Sequence, residues 1–310
     1  MKFNEKKLDI IIPVYNDNPY LEETLASIFK QQLPKNWFLH VYIVDDGSEE
    51  PVRIYVEDEC EGDISIVRLE KNSGCSVARN QGAIAGNGKV ILFLDADCSL
   101  MKADALALLL EEHEKGYDVC FGQIYAPQGD FWAKYQNDVA KERSVRFFQG
   151  EQSSMTTSIF MSSRQAFEAV GGFDEAYHFG FEDRDLFITL IESGAKVSLV
   201  EDAIVNHNDQ LSLMSVTKKM HKAGIESSSR FIDKHALAYE KMHFVKADVR
   251  YSKGGLQLLV LLTKRIVWPM VQVLNFFLVK GVLPYWLAKN AVKYISGLVY
   301  LHGTSEAVEK

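Results

Sequence analysis

Asp95 and Asp97 close an apolar run, "VILFLDAD". In an extended segment, side chains at i and i+2 point to the same side, about 6.5–7 Å apart at Cα. The two carboxylates would then face one volume, where like charges repel unless a cation lies close by. Ligands that are all oxygen suit Mg2+ or Mn2+, which keep water and phosphate oxygens in their shell. The pair therefore reads as a divalent-ion site that grips a phosphorylated substrate. A second acidic cluster, Glu182, Asp183 and Asp185 in "FEDRDL", falls at an expected helix start. A carboxylate there could take the proton of an attacking hydroxyl. Each cluster also has a plain structural explanation, a strand-end turn or an acidic first helical turn.

The surrounding elements decide between these readings. "LDIIIPV" (8–14), 38–46, "ISIVRLE" (64–70) and 89–97 read as strands. A helix follows Asn18-Pro19, with Leu21, Leu25, Ile28 and Phe29 on one face, and further helices are expected over about 51–60, 75–86 and 103–115. Such alternation means βαβ units and a mainly parallel sheet covered on both faces. Ligands of such sheets bind beyond the carboxyl ends of the strands. Asn16, Asp17, Asp45, Asp46, Asn72, Asp95 and Asp97 all fall at those ends. No Gly-x-Gly-x-x-Gly follows the first strand, and no Walker A loop occurs. Beyond 118 the order loosens: strand 118–125, helix 130–148, strand 156–163, helix 182–194, strand 196–202. This suggests an acceptor-side subdomain on the same sheet.

Of the 310 residues, 47% are hydrophobic and 25% charged, which excludes a disordered chain. The net charge of −8 is unevenly spread. Residues 1–210 carry 19 basic and 36 acidic groups, and 211–310 carry 15 and 6. The acidic front half argues against a nucleic-acid partner. Cys60, Cys75, Cys98 and Cys120 fit neither a zinc nor a disulfide spacing and read as thiols of a reducing compartment. "MKFNEKKLDI" is unlike a signal peptide. Three parts are expected: a catalytic domain over 1–210, linking helices with solvated basic faces over 211–253, and a tail over 254–310. The tail is apolar and aromatic, with no acidic residue before Glu306. Its favoured reading is amphipathic helices lying on a membrane through residues 254–303, with basic groups near anionic headgroups. A spanning hairpin and a dimerising or core-packing helical domain are the alternatives.

Six segments, "IIPVYND", "VDDGS", "NSGCSVARNQGA", "FLDAD", "GGFDE" and "FEDRDL", occur in an order and spacing that resembles family-2 glycosyltransferases of the GT-A fold. The resemblance covers about residues 8–210 and implies an α/β fold with a mainly parallel twisted sheet flanked by helices. The C-terminal apolar and basic helical extension lies outside it. It implies a metal-dependent, inverting transfer of a sugar from a nucleoside-diphosphate donor, UDP-linked by preference. The acceptor would be a hydroxyl of a glycan or lipid-linked glycan at the cytoplasmic face of the membrane. By the same resemblance Pro13, Val14 and Tyr15 line the nucleobase pocket, Asp45 accepts a hydrogen bond from the base, and Asp46 points toward the ribose. Arg79 approaches the diphosphate. Asp97 ligates Mn2+ or Mg2+, Asp95 contacts the ribose or the metal, and His207 completes the metal shell. Asp183 is the base, with Glu182 the second choice. A D-x-D phosphatase or phosphotransferase and a catalytically degenerate membrane scaffold are the rival readings.

Overall fold

The computed structural model describes residues 5–16, 19–55, 63–127, 129–151, 154–208, 211–252 and 254–309. Asp17, Cys60 and the second half of the helix expected over 51–60 lie outside them. The chain forms two compact units. The first holds Met1–Pro127, Gln136–Glu175 and Leu186–Asp209; the second holds Gln128–Tyr135, Ala176–Asp185 and Gln210–Lys310.

The first unit is built on strand β1 (Lys6–Val14). A strand sends alternate side chains to opposite faces. Leu8, Ile10, Ile12 and Val14 join one core with Leu21, Leu25 and Ile28 of α1 (Leu21–Phe29). Ile11 joins the other with Ala78 and Ala83 of α2 (Cys75–Ala85). Helix α2 lies so close that a Cβ on Gly82 would sit 2.4 Å from the Ile11 side chain. Burial on both faces explains why the strand is apolar over residues 8–14, apart from Asp9. That carboxylate is buried and held by Arg164 at 2.8 Å and Lys7 at 3.1 Å.

Strands β2 (Trp37–Asp45), β3 (Ile64–Arg68) and β4 (Val90–Leu94) join β1 in the parallel order β3-β2-β1-β4. There follow β5 (Cys98–Leu100), α3 (Ala105–Glu114), β6 (Val119–Tyr125), α4 (Phe131–Phe148), β7 (Ile159–Ser163), α5 (Arg164–Ala169), α6 (Glu182–Glu192) and β8 (Val197–His207). The sheet continues as β4-β7-β6-β8-β5. Strand β7 is antiparallel to β4 and β6, β8 is parallel to β6, and β5 is antiparallel to β8.

Several expectations change. β4 stops at Leu94, so Asp95 and Asp97 are not in a strand. β8 runs on to His207 instead of ending near 202. Residues 51–55 are not helical, because the Val52 amide donates to Asp45 Oδ2 (3.2 Å) and ties that segment to the end of β2 as a loop.

The second unit contains α7 (Leu213–Glu226), α8 (Ser228–Glu240), 3-10 turns at His243–Ala247 and Val249–Tyr251, then α9 (Gly255–Thr263), α10 (Val267–Val279) and α11 (Tyr285–Glu309). Ser212 and Ser215 form a capping box at the start of α7. α7 and α8 are not a solvated pair: Leu213, Thr217, Phe231 and Tyr239 are buried. Leu213 shares a core with Trp132, Val271, Val292 and Val299. Tyr239 donates to buried Asp248 at 2.6 Å, and Arg250 closes on the same carboxylate at 2.6 Å.

Candidate active site

Asp95, Ala96 and Asp97 form a turn at the carboxyl end of β4. The Cys98 amide donates to the Asp95 carbonyl (3.0 Å), and the Thr24 hydroxyl of α1 donates to the Ala96 carbonyl (2.9 Å). The Asn208 amide donates to the Asp97 carbonyl (2.9 Å). The carboxylates converge because a pinned turn aims them, not because they alternate along a strand. β5 then pairs with the end of β8 so that Cys98 lies opposite His207. This ladder carries His207 Nε2 to 3.4 Å from Asp97 Oδ1.

Donor atoms of Asp95, Asp97, Cys98 and His207 all lie within 4.8 Å of one another. Around an octahedral ion with ligands near 2.1 Å, neighbouring donors are about 3 Å apart and opposite ones about 4.2 Å. The set therefore fits one divalent ion after small adjustments. Cys98 offers a soft sulfur, the donor that Mn2+ or Mg2+ takes least readily. Its thiol, pushed well above the usual range by burial and by the nearby Asp95 and Asp97, donates to Asp97 Oδ1 at 3.8 Å. Two carboxylates and an imidazole remain, a hard set suited to Mn2+ or Mg2+.

Arg79, on α2, places Nη2 2.8 Å from Asp95 Oδ1, and its guanidinium lies 5.2 Å from the Phe173 ring centroid. Its neighbour Asn80 laces α2 to the "GGFDE" loop. Asn80 Oδ1 accepts from the Phe173 amide (2.9 Å), and Nδ2 donates to the Phe173 carbonyl (2.9 Å) and to Glu175 (3.0 Å). Asn80 thereby fixes the backbone under the ring against which Arg79 lies.

The two aspartates of "VDDGS" hold loops. Asp45 Oδ1 accepts from the Ser48 amide (2.9 Å), and Oδ2 accepts from Val52 and from Arg68 Nη1 (2.7 Å). Burial would raise the Asp45 carboxyl. The hydrogen bonds from Ser48 and Val52 and the Arg68 charge outweigh it and hold the group below the usual carboxylate range. Asp46 accepts from the amides of Ser73 and Gly74, both at 2.8 Å, and so ties the turn after β2 to the start of α2.

Gly47 sits between these ties at φ +68°, where a Cβ would lie 2.2 Å from the Lys71 carbonyl carbon. Gly47→Ala is expected to cost about 2 kcal/mol or more, from left-handed backbone strain plus a clash with rigid backbone. A melting temperature within a degree of the parent's would contradict this.

Val14 is buried at the end of β1, Pro13 is partly buried, and Tyr15 is exposed. Val14 and Asn16, with Pro51, Val52, Arg53 and Tyr55, line part of a cleft of about 860 Å³ between the loops after β1 and β2.

In the second unit, Phe181 precedes α6 with φ +69°. A large residue adopts that conformation only when its surroundings insist. Here the ring is buried against Phe231 (4.8 Å between centroids), Phe244 (5.5 Å) and Tyr239 (6.2 Å). Glu182 and Asp183 follow at once, both partly buried, and Asp183 Oδ1 accepts from the Arg184 amide at 2.8 Å.

Asp185 is buried. It accepts from Lys234 Nζ (2.7 Å) and His235 Nε2 (2.9 Å) of α8 and from the Tyr177 hydroxyl (3.3 Å). Burial would raise its carboxyl, but bonds from His235 and Lys234 hold it low. A depressed carboxyl contributes stability above the unfolded value near 3.9, lost as pH falls through the folded value. Asp185→Asn should therefore cost about 3 kcal/mol at pH 7, the low end for a buried pair because Lys234 is partly exposed. The gap between variant and parent should close in acid, below about pH 4. A gap that is constant with pH in denaturant titrations would contradict the assignment.

The family model described as "Glycosyl transferase family 2" matches residues 9–171. The match spans more than half the chain and includes Asp45, Arg79, Asp95 and Asp97. The chain belongs to glycosyl transferase family 2. A second model, "N-terminal domain of galactosyltransferase", matches residues 140–209, which include "FEDRDL" and His207. An N-acetylglucosaminyltransferase of Bradyrhizobium diazoefficiens is 29% identical over 218 residues, 64% of this chain and 44% of that protein. The pre-mycofactocin glycosyltransferase of Mycobacterium tuberculosis is 26% identical over 219 residues, 68% of this chain and 44% of that one. The match thus spans under half the length of these curated relatives. Among solved structures, the mannosyltransferase PcManGT from Pyrobaculum calidifontis, in complex with GDP-Man and Mn2+, superposes with a TM-score of 0.59. It is 16% identical, covering 96% of this chain and 87% of that one. GalNAc-T7 with UDP, GalNAc and Mn2+ gives 0.51 at 19% identity, covering 67% of this chain and 44% of that one. These likenesses show a shared fold, the GT-A fold.

For this family-2 chain, the first unit gathers Asp95, Asp97, His207 and Arg79 around one point, while Asp45 and Asp46 act through loops. Glu182 and Asp183 belong to the second unit. Three supporting residues have no sequence signal that announces them. Thr24 and Asn80 act through carbonyls far along the chain, and Phe181 acts through a backbone angle.

Proposed function

We propose that this family-2 chain is a metal-dependent, inverting glycosyltransferase. It moves a sugar from a nucleoside-diphosphate donor, UDP-linked, to a hydroxyl of a glycan or lipid-linked glycan. The observation that carries the reading is the convergence of Asp95, Asp97 and His207 across the β5–β8 ladder. Mn2+ or Mg2+ held there would supply Lewis-acid stabilisation of the charge that develops on the departing diphosphate. Asp97 and His207 would hold the ion, with Asp95 beside them and paired with Arg79. Arg79 neutralises Asp95 and offers a planar guanidinium beside the phosphate oxygens. Pro13, Val14 and Tyr15 border the nucleobase; Val14 lines the cleft beyond β1. Asp45 accepts a hydrogen bond from the base and Asp46 points toward the ribose, and both also hold the loops that follow β2.

Asp183, with Glu182 the second choice, takes the proton of the acceptor hydroxyl. One base acting opposite one leaving group gives direct displacement, hence inversion. The intact carboxylates speak against a degenerate scaffold. Family membership, with Arg79 on Asp95, speaks against Asp95 as a phosphatase nucleophile. The work is done at the cytoplasmic face of a membrane, where a lipid-linked acceptor would be met.

A thermal-shift screen of UDP-, GDP- and dTDP-sugars with and without Mn2+ tests this. A true donor at about 100 times its Kd adds about 2.7 kcal/mol of stability, so a UDP-sugar should raise the melting temperature only with the metal. No shift with any nucleotide sugar would refute the reading.

A further inference from the structure

We infer that α9 and α10 form a monotopic anchor lying in one leaflet of an anionic bilayer, without crossing it. This deepens the membrane placement proposed above and rests on that reading only for the side of the membrane. Helix α10 is apolar on all sides but for Gln272 and Asn275. One stripe, Val267, Val271 and Leu278, is buried in the core of the second unit. Trp268 and Leu274 pack beside that stripe, and the opposite apolar face is outward: Val273 is 58% exposed, Phe276 58% and Val279 75%. Helix α9 has no buried residue, and Leu261 and Leu262 are 71% and 67% exposed. A helix apolar all round belongs in a protein core or in lipid, and this one is only half in a core. Contiguous exposed apolar surface of this kind marks an interaction face.

Length and bend give the mode of insertion. Among the described residues no single helix is long and apolar enough to cross a membrane. α9 and α10 pass that test only together, and they meet at 72°. With 9 and 13 residues they are about 14 Å and 20 Å long, against about 30 Å of hydrocarbon. Helices this short and sharply bent fit the headgroup–acyl boundary, which such elements penetrate by about 5–10 Å.

Charge selects the occupant. Lys264 and Arg265 sit at the bend and Lys280 follows α10, all three exposed. Residues 254–305 contain no Asp or Glu. A second copy of the chain packed face to face here would bring these cations together, with no acid within residues 254–305 of either copy to pair them. Anionic headgroups supply the missing charge, while the acyl chains cover the leucines and phenylalanines. Trp286, 66% exposed near the start of α11, is an aromatic residue of the kind that settles at headgroup level.

The test is flotation of the full chain with vesicles of phosphatidylglycerol and phosphatidylethanolamine, and with pure phosphatidylcholine. No sugar transfer is read, so failure here is separable from failure of the chemistry. The parent should float with the anionic vesicles and much less with the neutral ones. Leu261→Glu with Leu262→Glu, and separately Phe276→Glu with Val279→Glu, should weaken partitioning by at least about tenfold. All four positions are exposed, so melting temperatures should not move. Lys264→Glu with Arg265→Glu should abolish the preference for anionic lipid. In bound protein, Trp286 fluorescence should be quenched more by lipids brominated near the headgroup than by lipids brominated at the chain ends. Absence of flotation would overturn the inference. So would deeper quenching, or apolar variants that leave flotation intact while converting a dimer to a monomer in light scattering.

Discussion

Asp97→Asn is expected to lower metal-dependent sugar transfer by about 10³-fold or more, the scale of losing one preorganised stabiliser of transition-state charge. That corresponds to about 4 kcal/mol on the barrier. Asn keeps the size and one oxygen but loses the charge that pairs with a divalent ion. Asp97 is also the hub of the site: its carboxylate meets His207 at 3.4 Å, and its carbonyl accepts from Asn208. The backbone turn does not depend on the carboxylate, so folding should survive. The variant should show an unchanged melting temperature without ligand, and it should lose the Mn2+-dependent part of the nucleotide-sugar shift. Activity within threefold of the parent would remove Asp97 from the metal site.

Asp183→Asn should separate the two halves of the reaction. A general base contributes about 10²- to 10⁴-fold, so kcat should fall by that factor. Donor binding, read by the Mn2+-dependent thermal shift, should stay as in the parent. The amide can still accept from the Arg184 backbone, so the first turn of α6 keeps its local bond. Glu182→Gln should have the smaller effect on kcat. If Asp183→Asn instead abolished donor binding, the residue would be a structural or metal-linked group and not the base.

The parallel half of the sheet is legible because its strands are short, β-branched-rich and mostly apolar, with polar residues at their ends. β5 is not, since three residues carry no periodicity. Its absence from the sequence reading hid why His207 meets Asp97, because the ladder between β5 and β8 makes that contact. The residue types of the D-x-D were sufficient to suggest a cation site. The geometry inferred for them was wrong: a strand would have spaced the carboxylates by its pleat, whereas a turn pinned by Thr24 and Asn208 aims them.

In the sequence Asp185 is one more acid in the first turn of a helix. Its partners Lys234 and His235 lie about 50 residues further along, and a contact of that range leaves no local mark. The same holds for Asp45, whose clip on Val52 keeps 51–55 from becoming the helix that periodicity suggested. In the tail, composition showed an unusual surface, and the bend between α9 and α10 shows how that surface is presented.

Anomalous scattering from crystals grown with Mn2+ and UDP would locate the ion. A single manganese peak is predicted within about 2.0–2.3 Å of an Asp97 oxygen and His207 Nε2, with diphosphate oxygens completing its shell. Manganese bound elsewhere, or UDP bound in the cleft with no metal between Asp97 and His207, would contradict the account.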